Sequence, residues 1–254
     1  MEDRQGVFLC HAGEIRINCP QITAGIEGCT SIGESSIGLT LWMFIYWLEI
    51  ALQQLDYAES AHAQLLESWS PRDPAKGGDH LRSEFSASLQ SICSAAFAVD
   101  AFFAAVKKAA PIDQALSHQW NASGTARYKR ALEVFRRSFM IKQASVKVLK
   151  SDLHKLYKLR NNAVHPHADM GAPTLYPELS ILTERRMVEY SALNARLRVQ
   201  FALSLISQNI SRPNPKHKDL IELCRSCKGN IIPLVVAWER KRGSLFAHLC
   251  REGK

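Results

Sequence analysis

The stretch from Leu156 to Met170, LYKLRNNAVHPHADM, places an arginine, two asparagines and two histidines close together in the chain. Arg160 carries a permanent, forked positive charge, which suits it to binding the oxygens of a phosphate group. His165 titrates near neutral pH, so its imidazole can accept or deliver a proton. Together the two side chains could catalyse a transfer at phosphorus, and they are the first candidates for a functional site.

Cleavage of RNA without a metal ion, the activity that the family resemblance given below implies, needs both of these properties. The 2′-hydroxyl must lose a proton as it attacks, the 5′-oxygen must gain one as it leaves, and negative charge builds on the phosphate oxygens. We expect His165 to move the proton and Arg160 to stabilise the charge, with no cofactor and no metal. Asn161 would orient the phosphate or the histidine, or else cap the helix end. His167 is an alternative to His165.

Arg160 also interrupts an apolar seam on the helix that leads to it. The seam residues are spaced by three and four positions: Val146, Leu149, Leu153 and Leu156. The next position of that pattern is residue 160, and a charge that faces the core needs a partner. Asp100 is the only charged residue between Ser94 and Val106 in another apolar helix. We expect Asp100 to pair with Arg160 in a supporting role.

Helical geometry separates the arginine from the histidine. Five residues turn an α-helix by about 500°, which leaves Arg160 and His165 about 140° apart around the axis. Either Pro166 breaks the helix and lets the imidazole turn back, or a second subunit supplies the missing group. A purely structural pair of Asp100 and Arg160, beside a histidine at a helix end, is the competing interpretation.

These residues carry a family resemblance. The segment from Leu159 to His165, LRNNAVH, resembles the Arg-x4-6-His motif of HEPN domains, and the helix around Asp100 is similar to the acidic helix of that family. The similarity covers about residues 79 to 208. The resemblance implies a helical bundle, metal-independent ribonuclease activity as in many members, and a two-fold dimer whose two motifs line one cleft.

The positive charge of the chain is concentrated just before this motif. The net charge is +8, and residues 127 to 160 contain eleven Lys or Arg against only Glu133 and Asp152. A solvated helix face would explain such a run, but a surface that binds a polyanion needs the same concentration of charge. The residues predicted to bind RNA are Arg136, Arg137, Lys150, Lys155 and Lys158.

Three functions are compatible with these residues. The first is a metal-independent endoribonuclease of HEPN type, acting as a toxin or a defence effector. The second is a HEPN-like module that binds nucleic acid or a protein without cutting, and the third is a helical interaction module whose charges are structural. The predicted partners are RNA, a second copy of the chain, and an antitoxin or regulatory protein.

Composition predicts a cytoplasmic protein without a membrane span. No signal-like segment begins the sequence, and the apolar run from Leu39 to Leu48 is shorter than the ~20 residues that cross a bilayer. Seven cysteines, an odd number, indicate a reducing compartment. Cys224 and Cys227 have the spacing of metal ligands, and His248 and Cys250 could complete a zinc set. No second pair has the usual spacing, so we expect no zinc site.

Hydrophobic periodicity predicts the fold class. We expect an all-α, multi-helix up-and-down bundle with a small irregular or β-hairpin appendage at the N-terminus. The predicted segments are an appendage and connector (1–38), a long apolar helix and linker (39–78), the HEPN-like bundle (79–210) and a C-terminal helical tail (214–254). Within the appendage, residues 7–10 and 14–19 are the expected hairpin strands. Asp79 is the expected N-cap of the second helix.

A stripe of small apolar residues marks the helix predicted over 183–208. Its members are spaced four and three apart: Val188, Ala192, Ala195, Val199, Ala202 and Ile206. Small side chains allow close approach of helices. The stripe therefore predicts packing within the bundle or across a dimer.

Overall fold

The fold is an all-α helical bundle with small two-stranded sheets. The computed structural model describes the backbone of residues 13–18, 22–24, 30–32 and 36–40, and residues 41–70, 73, 75–165, 172–214 and 216–246. These residues form eight helices and three antiparallel strand pairs. The predicted fold class is confirmed.

Two long helices form the centre of the bundle. Helix α1 (Met43–Ser68) packs along most of α2 (Ala75–Ala109), and the buried positions of α1 recur every three or four residues. Helices α7 (Ala192–Ser211) and α8 (Lys218–Arg242) complete this side of the core. The guanidinium of Arg242, with a side chain only 3% exposed, joins α8 to Asp56 and Glu59 of α1.

The candidate site lies where α2 contacts the two helices described next, α4 and α5. After α3 (Gln114–Ala122), helices α4 (Arg127–Ser138) and α5 (Gln143–Val164) pack against each other and against α2. The aromatic rings of Phe102 and Phe135 stack with centroids 5.6 Å apart and fix α4 on α2. Strands β5 (Thr174–Tyr176) and β6 (Ile181–Thr183) and the short α6 (Arg185–Glu189) then lead into α7.

The described part of the N-terminal appendage contains two antiparallel strand pairs. Strand β1 (Gly13–Asn18) pairs with β4 (Ser36–Leu41), while β2 (Ile22–Ala24) pairs with β3 (Thr30–Ile32). The expected partner, 7–10, lies outside the described residues. The sequence of β4, SIGLTL, alternates small or polar residues with apolar ones, which is the two-residue period of a strand. This strand also explains why α1 begins at Met43 and not near residue 39.

Three helix boundaries differ from the prediction. Helix α2 begins at Ala75, so Asp79 lies inside the helix and not at its N-cap. The sequence also predicts a loop over residues 117–124, but most of these residues belong to α3, whose N-cap Asp113 accepts a hydrogen bond from the Ala115 amide at 2.9 Å. The single helix expected over 183–208 is instead strand β6, α6 and α7, and Ser191 caps the N-terminus of α7.

The small-residue stripe packs within the chain. Its members on α7 are buried against the bundle core: Ala192, Ala195, Val199, Ala202 and Ile206. Of the two alternatives, packing within the bundle is therefore the one that the structure shows. The stripe offers no surface to a second subunit.

Helix α2 is the one described helix that is long and apolar enough to cross a membrane. The segment concerned is Gly77–Ala109, and 56% of its most apolar window is buried inside the fold. A core helix needs the same composition, because its apolar side chains are covered by neighbouring helices. The packing of α2 against α1, α4, α5 and α7 accounts for its composition.

Candidate functional site

The structure brings Asp100 and Arg160 together, as the sequence predicts. The Arg160 Nη2 atom lies 3.8 Å from Asp100 Oδ2, across the contact between α5 and α2. The two side chains are 21% exposed for Arg160 and 25% exposed for Asp100. The pair therefore lies at the edge of the core, where one side of the guanidinium can still meet solvent or a ligand.

Asp100 binds two further side chains. Its Oδ1 atom accepts a hydrogen bond from the Tyr157 hydroxyl at 2.6 Å and another from Arg127 Nε at 2.8 Å. Burial, followed by the charge of Asp100, raises the pKa of Tyr157 well above its ordinary range. One carboxylate thus links α2, the first turn of α4 and the second half of α5.

Arg160 is held in place but has few of its donors satisfied. Its Nε is buried and has no hydrogen-bond partner among the described residues, and its guanidinium carbon lies 5.5 Å from the centre of the Tyr157 ring. The backbone beside it is fixed, because the Tyr190 hydroxyl donates to the Leu159 carbonyl at 2.7 Å. A guanidinium has five N–H donors, so this one retains capacity for an anion.

His165 is the C-cap residue of α5. Helix α5 ends at Val164, and the His165 amide still donates to the Asn161 carbonyl at 2.8 Å. Because this last helical hydrogen bond is intact, the exposed side chain of His165 leaves the helix on the same face as Asn161. Within one chain, the histidine and the arginine therefore point in different directions. His167 lies outside the described residues.

A polar face runs along α5 and ends at this histidine. Successive members are three or four positions apart and fall within about 80° of one another around the helix axis. We call this face the α5 stripe, and its members are Lys147, Lys150, His154, Lys158, Asn161 and His165. All six are exposed. The stripe would present a continuous row of cationic and proton-transferring groups to a polyanion.

A pocket of about 230 Å³ opens between α4 and α5 beside the stripe. We call it the α4–α5 pocket, and it is lined by Ala126, Arg127, Tyr128, His154, Tyr157, Lys158, Asn161 and Asn162. The rings of Tyr128 and His154 contact each other with centroids 4.8 Å apart and a tilt of 48°. Cations, aromatic rings and amide groups thus meet in one concave site.

Comparison with known proteins identifies no relative of the chain. No protein family model, curated protein or solved structure matches it. The chemistry of the site therefore follows from its own residues. They offer an anchored guanidinium, a row of cations and an exposed imidazole, a set of groups suited to binding and reacting at phosphate.

Sequence reasoning missed several groups of this site. His154 lies four residues before Lys158 and seven before Asn161 on α5, and this helical spacing was a usable signal. Arg127 and Tyr128 carried no such signal, because nothing in the sequence shows that the start of α4 packs beside the end of α5. Asn162 was missed because the motif places its polar residue directly after the arginine, at Asn161.

The predicted RNA-binding residues fall into two groups. Arg136 and Arg137 both donate hydrogen bonds to Glu133 on α4. The bond from Arg136 has the larger effect, and together the two bonds lower the pKa of Glu133, although burial acts to raise it. Lys150, Lys155 and Lys158 are exposed on α5. Lys155 lies about 140° around the helix from Lys150 and is outside the stripe. Lys150 and Lys158 are therefore better placed to bind RNA than Arg136 and Arg137, which are already paired with Glu133.

The chain after the motif is anchored by a buried carboxylate. Strand β5 carries Tyr176, whose hydroxyl donates to Glu84 on α2 at 2.9 Å. Glu84, only 1% exposed, also accepts from the Ala192 amide at 2.8 Å and lies 3.2 Å from His62 Nδ1. These bonds tie the hairpin that follows α5 to α1, α2 and α7. They fix the far end of the segment that begins at His165.

The described residues contain no group of three or more His, Cys, Asp or Glu suited to a metal ion. Cys224 and Cys227 are both buried in α8, and burial raises the pKa of Cys224 to about 12. Zinc binds the thiolate form, which such burial disfavours. His248 and Cys250 lie outside the described part of the chain.

Proposed function

We propose that this protein is a metal-independent endoribonuclease of HEPN type, in which a 2′-hydroxyl of the RNA attacks the adjacent phosphate and cleaves the chain. One observation carries the proposal. Nη2 of the Arg160 guanidinium lies 3.8 Å from Asp100 Oδ2, and the side chain of Arg160 remains 21% exposed. An arginine that is fixed in place but not saturated can stabilise the charge that develops on a phosphate.

Each residue of the motif then has a distinct role. Arg160 binds the non-bridging phosphate oxygens, and His165 transfers the proton between the attacking and leaving oxygens. Asn161 orients the phosphate from the same face of the helix as His165. Asp100 acts through Arg160 and is a positioning residue. Lys150 and Lys158 hold the RNA backbone along the α5 stripe.

The reaction requires two copies of the chain. Arg160 and His165 lie about 140° apart around α5, and the helix stays intact up to the histidine. Arg160 of one subunit would therefore work with His165 of the partner subunit across a two-fold axis. The small-residue stripe on α7 does not form that interface, since it is buried, and we place the interface at the exposed end of α5.

This activity suits a cytoplasmic toxin or defence effector, because uncontrolled RNA cleavage is harmful to the cell that makes the enzyme. An antitoxin or regulatory protein would then cover the same charged surface.

A second candidate is a HEPN-like module that binds RNA without cutting it. The observation that favours this candidate is the lack of contact between His165 and Arg160 within the described chain, together with the exposed α5 stripe. Both candidates predict RNA binding that weakens as salt rises. Only cleavage separates them.

The experiment is incubation of the purified protein with end-labelled RNA in excess chelator. We expect fragments that end in a 2′,3′-cyclic phosphate and begin with a 5′-hydroxyl, because the nucleophile belongs to the RNA. RNA that is bound but left intact would favour the second candidate. Fragments with 3′-hydroxyl and 5′-phosphate ends would show a different chemistry and overturn the assigned roles.

A further inference from the structure

We propose that the α4–α5 pocket binds one unpaired nucleotide of RNA and recognises its base. This inference rests on the proposed function for its choice of substrate, and it assigns the pocket a role that the motif itself does not provide. The pocket lies beside the stripe, since His154, Lys158 and Asn161 belong to both. RNA that follows the stripe would therefore pass its mouth.

The size of the pocket suits a single base. Its volume is about 230 Å³, which is below the ≈ 300–1,000 Å³ typical of sites that enclose a drug-sized ligand. One wall comes from the first turn of α4 and the other from the last turns of α5. Sequence-specific recognition of RNA commonly uses single-stranded bases that are turned out into such sites.

Aromatic rings are available for stacking. His154 is exposed and lies against the half-buried Tyr128 with ring centroids 4.8 Å apart. Both rings line the pocket, and the imidazole is the more exposed of the two. A base that stacks on an aromatic side chain gains about 1–3 kcal/mol.

Two amide side chains provide the means to read the base. Asn161 is exposed and Asn162 is half-buried, and both line the pocket. An amide carries both donors and an acceptor, as do the hydrogen-bonding edges of the bases. A site that hydrogen-bonds the correct base disfavours a base whose groups cannot pair with it, because buried polar groups are then left unsatisfied.

Cations complete the site and connect it to Arg160. Lys158 is exposed at the pocket, and Arg127 is held there by its hydrogen bond to Asp100 at 2.8 Å. The other oxygen of Asp100 faces Arg160 at 3.8 Å. Arg160 does not line the pocket, but Asp100 links it to Arg127 of the pocket. The recognised nucleotide would then lie near the bond that is cut.

The test measures nucleotide binding separately from cleavage. Full-length protein is titrated with AMP, GMP, CMP, UMP and ribose 5-phosphate, none of which has an internucleotide bond to cut, and binding is followed by NMR or calorimetry. We expect one nucleotide to bind at least about tenfold more tightly than ribose 5-phosphate, which has the same charged group but no base. Equal affinity for all five compounds would overturn the proposal.

Variants locate the binding. In full-length protein, Asn162→Ala should remove most of the preference for the favoured base. His154→Ala should weaken all four nucleotides but not ribose 5-phosphate, because stacking does not distinguish one base from another. Lys158→Ala should weaken all five compounds alike. His118→Ala, which removes an exposed histidine on α3 outside the pocket lining, is the matched control and should change nothing. A base preference that survives Asn162→Ala, or nucleotide binding that His154→Ala leaves unchanged, would also overturn the proposal.

The outcome is distinguishable from that of the proposed function. If unmodified protein cleaves RNA in chelator but shows no base-dependent binding, the pocket assignment fails and the nuclease stands. If the pocket binds a preferred nucleotide but the protein never cleaves RNA, the nuclease fails and the base-recognising pocket stands.

Discussion

Asp100 faces Arg127 with one carboxylate oxygen, at 2.8 Å, and Arg160 with the other, at 3.8 Å. The carboxylate thus positions two arginines that belong to different helices. Arg127 lines the α4–α5 pocket, and Arg160 is the proposed ligand of the reacting phosphate. A single residue of α2 therefore links the α4–α5 pocket to the proposed reaction site.

Loss of this carboxylate should destabilise the fold. Asp100→Ala leaves Tyr157, Arg127 and Arg160 without their acceptor, and we expect a loss of about 1–3 kcal/mol in the free energy of unfolding. The cost is below that of a fully buried pair, because Asp100 is 25% exposed. Urea denaturation measures the change.

The matched control is Asp79→Ala. Asp79 also contacts an arginine, Arg82, but both side chains are strongly exposed, at 87% and 77%. We expect a change of less than about 0.5 kcal/mol. Equal effects of Asp100→Ala and Asp79→Ala would show that the Asp100 network contributes nothing special to stability.

Alkaline pH should lower the free energy of unfolding through two buried tyrosines. Burial, together with Asp100 in one case and Glu84 in the other, raises the pKa of Tyr157 and Tyr176 above the ordinary 10.0. The folded state thus keeps protons that the unfolded state loses, so stability is complete below pH 10 and falls above it. Tyr157→Phe and Tyr176→Phe should each flatten this decline. Denaturation profiles in which neither variant differs from wild type in slope would contradict the assignment.

RNA affinity should fall steeply with salt. Each lysine that neutralises a phosphate of single-stranded RNA contributes about 0.7 to the slope of log affinity against log salt concentration. Lys150→Ala and Lys158→Ala should each reduce the slope by about that amount. Arg136→Ala should reduce it less, because Arg136 is already paired with Glu133. Fluorescence anisotropy at several salt concentrations provides the slopes.

The control for that series is Lys218→Ala, at the start of α8 and outside the α5 stripe. It should leave the slope unchanged. If Lys218→Ala and Lys158→Ala lower the slope equally, binding is spread over the whole surface and the stripe has no special role.

Two inactive variants should restore activity when they are mixed. Arg160→Ala and His165→Ala remove different halves of a site that is shared between subunits. A mixed dimer retains one intact combination, Arg160 from one chain and His165 from the other. We expect cleavage to return toward half of the wild-type rate per mixed dimer. Light scattering should show a dimer, and an active monomer would contradict the shared site.

The sequence predicted those parts of the site that depend on one helix at a time. The phase of the apolar seam placed Arg160 toward the core. Asp100 was identified as the partner of Arg160 because it is the only charged residue in its apolar stretch of helix. Helical rotation predicts that positions 160 and 165 lie about 140° apart around α5. These inferences need only the geometry of a single α-helix.

The remaining parts depend on contacts between distant segments. The α4–α5 pocket exists because the first turn of α4 packs beside the end of α5, which no spacing within either helix reveals. The same holds for Glu84, whose partners Tyr176 and Ala192 are 92 and 108 residues away. The small residues of α7 fitted two kinds of packing, and only the surrounding helices decided between them.

The most direct test of metal-independent RNA cleavage by Arg160 and His165 is the cleavage rate of the His165→Ala variant in excess chelator. We expect wild-type protein to cut, and the variant to cut about 10²–10⁴-fold more slowly while it still binds RNA, because only proton transfer is lost. His217→Ala, which removes the N-cap histidine of α8, should cut like wild type. A wild-type protein that leaves RNA intact, or a His165→Ala variant that cuts at the wild-type rate, would show that these two residues are not a catalytic pair.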